Sequence, residues 1–167
     1  MRFDATELDG AWLIGLEPGR SSRTFRAHLP HARIRCTWPR NHLRAAQHIV
    51  FDGARDYHFQ CEPAAELKIV SCVRGVIFDV IVDLRRRAPT YRRWQGFELS
   101  AENRRRLYIP AGYAHGFQTL SDDTEVEYLI SEFNAPQCAS GVRYNDPAFA
   151  ISWPLPVTSI SNRDQSS

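Results

Sequence analysis

The chain has 167 residues, 43% hydrophobic and 24% charged, a composition that suits a single globular domain over residues 1–167 rather than a disordered polymer. A net charge of +2 gives no bulk affinity for nucleic acid, and no apolar run approaches the roughly 20 residues a membrane helix needs. The opening MRFDATELDG carries acids and lacks the apolar stretch of a secretory signal, so a soluble cytoplasmic protein is the expectation.

Cys36, Cys61, Cys72 and Cys138 form no C-x-x-C pair, and they read as core thiols, neither a disulfide frame nor a zinc site. In chain order, ELKIVSCV is the first clear strand and Arg74-Gly75 a turn. VIFDVIVDL then puts Val76, Phe78, Val80, Val82 and Leu84 on one face and Ile77, Asp79, Ile81 and Asp83 on the other. The two strands are expected to form a hairpin. LSAEN offers Ser100 as a cap with room for one turn only. RRLYIP, GFQTL and VEYLIS follow as short strands, a rhythm that predicts an all-β sandwich or barrel. In DPAFAISWP, Asp146 and Pro147 predict one helical turn, and the segment after Trp153 reads as irregular. The arginine triplets at 85–87 and 104–106 read as solvated turn positions.

Three features invite chemistry. Of 21 basic residues, Lys68 is the single lysine, and lysine can release a proton where arginine stays charged; chance is the competing explanation. His58, in RDYHFQ, is open to three readings: metal ligand, proton-transfer base or buried residue with its hydrogen bonds met. His115 closes IPAGYAH, where Pro110 and Gly112 bend the chain; this P-x-G-x-x-H resembles the second motif of the cupin superfamily, a small β-jelly-roll barrel. A metal cupin also needs a first motif near H-x-H followed by glutamate. Here Gln60 stands in place of the second histidine and Glu66 lies six residues on, a poor donor set for a divalent metal.

The run from ARDYHFQ through ELKIVSCVRGVIFDVIVDL, LYIPAGYAHGFQTL and VEYLISEFNAP to GVRYNDPAFAISWP resembles the dTDP-4-dehydrorhamnose 3,5-epimerase family over about residues 54–164. The resemblance implies a cupin-type β-jelly-roll barrel with few short helical turns. It implies a homodimer that acts without cofactor or metal on a nucleotide-linked 4-keto-6-deoxyhexose. It also implies site residues. His58 matches the family's base, and Asp164, in SNRD, its carboxylate partner. Tyr128 matches the acid, and Lys68 the cation that stabilises an enolate at C4. Arg55 and Gln60 match pocket-lining positions, with Arg55 placed for a diphosphate oxygen. His115 is expected across the barrel as a polar wall or relay, and Asp83 as a supporting carboxylate inside it; a structural hydrogen-bonding role is the alternative for both.

The N-terminal third departs from the pattern. In LEPGRS, Pro18 stands where the family has an arginine, and Arg20 follows Gly19. Gln47 is present without the Asn and Ser that follow it in the family, Asp56 and Tyr57 replace a glycine and a leucine, and Asn134 replaces a second tyrosine. These positions are substrate contacts in the family, so the resemblance implies retained chemistry on an altered substrate, or inversion of one carbon only. A metal-dependent cupin oxygenase or isomerase using His58 and His115, and a non-catalytic sugar-nucleotide binding module, are the alternatives.

Overall fold

The structure is a computed structural model that describes residues 1–15, 45–51 and 57–157. Among them the strands are β1 (Arg2–Ala5), β2 (Trp12–Gly15), β3 (Ala45–Phe51), β4 (Tyr57–Gln60), β5 (Lys68–Arg74), β6 (Val76–Asp83), β7 (Trp94–Ser100), β8 (Arg106–Ile109), β9 (Tyr113–Thr119), β10 (Thr124–Ile130) and β11 (Ala139–Val142). All pairings are antiparallel: a six-stranded sheet ordered β1-β2-β8-β5-β10-β3 and a five-stranded sheet ordered β11-β4-β9-β6-β7. The expected all-β jelly roll is observed, with a 3-10 turn at Pro136–Cys138. Asp146 caps a single turn, its Oδ1 accepting from the Ala148 N–H at 2.8 Å. Ser100 and Asn103 cap each other's backbone, at 3.0 and 3.1 Å.

The hairpin expected at Arg74-Gly75 does not form. β5 and β6 lie in different sheets, and Gly75 is the corner between them. A hairpin would pair the peptide groups of the turn across the strands. Here the Val76 N–H goes to Ser121 Oγ at 2.9 Å, and the Gly75 carbonyl accepts from Ala101 N–H at 3.2 Å. Gly75 has φ +76°, a region glycine enters without strain. A Cβ there would lie 2.6 Å from both Ser121 Oγ and Thr124 Oγ1.

The alternation read in β6 is real, but both of its faces are buried. Ile77 and Ile81 join Val70, Leu107, Phe117 and Val126 in the core between the sheets. Val80 and Val82 face outward, where Tyr144, Phe149, Ile151 and Trp153 of the segment after β11 cover them. The inner face thus admits Asp79 and Asp83, each fully buried. Cys72 alone of the three described cysteines is buried, and burial pushes its thiol above the usual range. Cys61 is exposed, which corrects the expectation of core thiols, and Cys36 lies outside the described residues. Arg86, Arg87, Arg104 and Arg105 are solvent-exposed as expected, whereas Arg106 begins β8 and is half-buried, and Arg85 is half-buried in an ion pair with Asp83.

Candidate active site

The polar side chains gather where β4 and β9 of one sheet face β5 and β10 of the other. His58 and His115 are register partners on β4 and β9, so their side chains leave the same face of the sheet. His115 is 5% exposed, and its Nε2 lies 2.5 Å from Asp79 Oδ1. An ionised carboxylate only accepts, so paired with one the His115 ring would carry its proton on Nε2. Asp79 Oδ2 is buried with no hydrogen-bond partner among the described residues. Across the gap Tyr128, 6% exposed, presents its ring edge-on to the His115 ring, centroids 5.6 Å apart and planes at 72°. Val126, Tyr128 and Ile130 all face the core, as the period-two reading requires.

Lys68 begins β5 on the same face as Val70 and Cys72 and is 8% exposed. Its Nζ donates to the His58 carbonyl at 3.1 Å and pairs with Glu66 Oε1 at 2.9 Å. The lysine therefore ties the strand of one sheet to the histidine strand of the other. Gln60 is 5% exposed and wholly engaged. Its Nε2 lies within 3.0 Å of Glu66 Oε2, 3.1 Å of the Ala64 carbonyl and 3.2 Å of the Phe133 carbonyl, and its Oε1 accepts from Ala135 N–H at 2.6 Å. Asn134 is exposed, between the two backbone groups that Gln60 holds.

The aspartate beside His115 is Asp79, not Asp83. Asp83 accepts from Thr90 Oγ1 at 2.6 Å and from Arg85 Nε at 2.9 Å and Nη2 at 2.8 Å, and it lies 3.3 Å from the Tyr113 hydroxyl. Burial pushes the Asp83 carboxyl up, but the hydrogen bonds from Arg85 and Thr90 and the Arg85 charge outweigh it, leaving it below the usual range. Gln47 lies on β3, opposite Tyr128 in the register. Arg20, Arg55 and Asp164 lie outside the described residues. Two residues were given no part in the site by the sequence reading. Asp79 carried a usable signal, a carboxylate between two isoleucines on a core-facing phase. Glu66 was weighed only as a metal donor, and a loop has no period to show that it turns inward. Among the described residues no three or more His, Cys, Asp or Glu side chains group as metal donors, and His115 gives its Nε2 to Asp79. That donor set does not fit the three or more convergent ligands of a transition-metal centre.

Two antiparallel sheets enclosing inward histidines, a tyrosine and a buried lysine define a cupin-type barrel with a polar interior. A sequence model of dTDP-4-dehydrorhamnose 3,5-epimerase matches residues 6–167, and the chain belongs to that family. It is 44% identical over 113 residues to the dTDP-4-dehydrorhamnose 3,5-epimerase of Sinorhizobium fredii; the match takes in 68% of this chain and 58% of that relative's length. The 4-keto-6-deoxy sugar epimerase from the novobiocin gene cluster of Streptomyces spheroides superposes with a TM-score of 0.84 at 36% identity, covering 100% of this chain and 86% of that one. The Legionella pneumophila epimerase, solved with dTDP-4-keto-L-rhamnose, gives a TM-score of 0.82 at 29% identity, covering 99% of this chain and 90% of that one.

Proposed function

We propose that the protein is a cofactor-independent epimerase that inverts C3, C5 or both in a 4-keto-6-deoxyhexose carried on a nucleoside diphosphate, with dTDP the first nucleotide to test. The observation that carries the reading is Lys68: a buried ammonium bonded to the backbone of His58, in a barrel that also holds Tyr128. A C–H bond next to a ketone is acidic only if the resulting enolate is stabilised, and a preorganised cation at the C4 oxygen does that.

In this scheme His58 removes the proton from the carbon beside the ketone, and the C–H electron pair moves onto the C4 oxygen, held by Lys68. Tyr128 delivers a proton to the opposite face of the carbon, and solvent returns one to the tyrosinate and takes one from His58. Asp164 holds the His58 ring and balances its charge after proton uptake. His115, fixed by Asp79, forms the polar wall between them. Arg55, Arg20, Gln47 and Asn134 are assigned to the nucleotide and sugar rather than to proton transfer, and Gln60 frames the pocket. The working form is a homodimer in the cytoplasm, an assignment that rests on the family.

Incubation with dTDP-4-keto-6-deoxyglucose in deuterated water, followed by NMR, tests the reaction. Deuterium is expected at C3, C5 or both. No incorporation with any 4-keto-6-deoxy sugar nucleotide overturns the reading. His58→Ala is expected to abolish exchange, whereas Tyr128→Phe leaves exchange and impairs inversion.

A further inference from the structure

Glu66 has no part in this proton-transfer scheme, yet it is built into the site. Its side chain is 10% exposed, as is that of Lys68, and its two oxygens are divided between two partners. Oε1 meets Lys68 Nζ at 2.9 Å, and Oε2 accepts from Gln60 Nε2 at 3.0 Å. Gln60 in turn grips the backbone on both sides of Asn134, through the Phe133 carbonyl and the Ala135 N–H. The ammonium therefore sits at the end of a continuous chain of contacts anchored in the loop after β10, and its second bond reaches the His58 carbonyl at 3.1 Å.

Stability alone gives a weak reason for such an arrangement. Withdrawing two charges from water costs about as much as their attraction returns, and apolar replacements of buried ion pairs are often neutral or stabilising. A lysine side chain has rotatable bonds along its whole stem, so an unheld ammonium samples many positions. Two contacts, one to a carboxylate and one to a carbonyl, fix it. An ammonium has three donors. Among the described residues Lys68 uses two, which leaves one N–H for a substrate oxygen.

We propose that Glu66 is a positioning residue for the reaction: through its ion pair it holds the Lys68 ammonium where the C4 oxygen gathers charge. The proposal rests on the assignment of Lys68 to the enolate.

Glu66→Gln, Lys68→Met and the double variant test it, read by steady-state kinetics and by the rate of deuterium exchange. Glu66→Gln is expected to lower kcat by about 10- to 100-fold with little change in KM, because the lost interaction acts as the enolate forms. In the Lys68→Met background the same substitution is expected to add nothing, the signature of two residues acting as one unit. Glu66→Asp, which keeps the charge on a shorter stem, is expected to fall between wild type and Glu66→Gln. If Glu66→Gln does not fold, Glu66→Asp decides: a severalfold lower kcat at unchanged KM supports the proposal. Wild-type kcat in a folded Glu66→Gln or Glu66→Asp overturns it. So does a Glu66→Gln loss that persists undiminished beside Lys68→Met, since Glu66 would then act through Gln60 and its loop. Impaired Lys68→Met with unimpaired Glu66→Gln removes the role of Glu66 and leaves the enolate assignment standing. Full exchange activity in Lys68→Met removes both.

Discussion

Asp79 and Asp83 share one face of β6, and both flank Ile81, which lies opposite His115 in the register. Either could reach the histidine on the diagonal. The neighbours decide. Arg85, two residues beyond Asp83, folds back on it, and Thr90 and Tyr113 complete its shell, so Asp79 is left for His115. A period of two gives both aspartates the same phase, so the sequence alone could not say which of them stands beside His115. Asp83, held below its ordinary carboxyl range, contributes stability that is complete above about pH 4 and lost as the pH falls through its lower folded value. Tyr113 behaves in the opposite sense: burial, with the Asp83 charge, pushes its hydroxyl up to about 12. Its contribution is complete below about pH 10, the ordinary tyrosine value, and lost above it as the group ionises. Asp83→Asn is expected to cost about 2–3 kcal/mol at neutral pH, by leaving half-buried Arg85 without its main counter-charge, and to flatten the acid limb of the stability profile. Urea titrations from pH 2 to 7 check this; an unchanged acid limb would remove Asp83 from the account of acid stability. Tyr113→Phe is expected to flatten the alkaline limb instead.

At the scale of the element, the strands themselves were legible, because both core-facing and outward-facing residues of β6 and β10 keep a strict alternation. Their assembly was not. Arg-Gly between two strands describes a hairpin turn and a sheet-to-sheet corner equally well, since both need a residue at positive φ. What separates them is the partner of the corner's peptide groups, and those partners, Ser121 and Ala101, are distant in sequence. The corner is also tight. Gly75→Ala forces a left-handed φ on a residue with a Cβ and drives that Cβ to 3.2 Å from the Thr124 Cα, where only backbone can give way. We expect a loss of about 2–4 kcal/mol. A urea midpoint within error of wild type would show that the corner relaxes freely. The same corner starts the strand that carries Asp79, so its strain is expected to reach the site as a lower kcat before it unfolds the protein.

At the scale of the molecule, the centre of the five-stranded sheet, β6 and β9, is covered on both sides, and its outer cover is chain rather than another sheet. Phe78 lies over Gly96, where its ring leaves no room for a side chain, and meets Trp153 edge-on at 6.3 Å. Trp153 Nε1 donates to the Tyr144 carbonyl at 3.1 Å, and the Gln118 side chain holds the Leu155 backbone through two hydrogen bonds, 2.9 and 3.1 Å. In the sequence, Asp164 follows this strap. The sequence marked one helical turn in this segment and an irregular course after Trp153, but neither has a period by which burial could be read. In the proposed His58–Asp164 pair, His58 stands on β4, whereas Asp164 comes after the strap in sequence. Trp153→Ala removes the strap's largest contact. It is expected to cost about 1–3 kcal/mol, less than a fully buried tryptophan because the ring is half-exposed, and also to lower kcat. Asp164→Asn, by contrast, is expected to lower kcat by about 100-fold or more and to leave the melting temperature unchanged, since it alters only the partner of the base. The pair of variants separates what the strap contributes from what the carboxylate contributes. Wild-type turnover in Asp164→Asn would leave His58 without this partner, and any slowing in Trp153→Ala would then reflect the sheet beneath the strap instead.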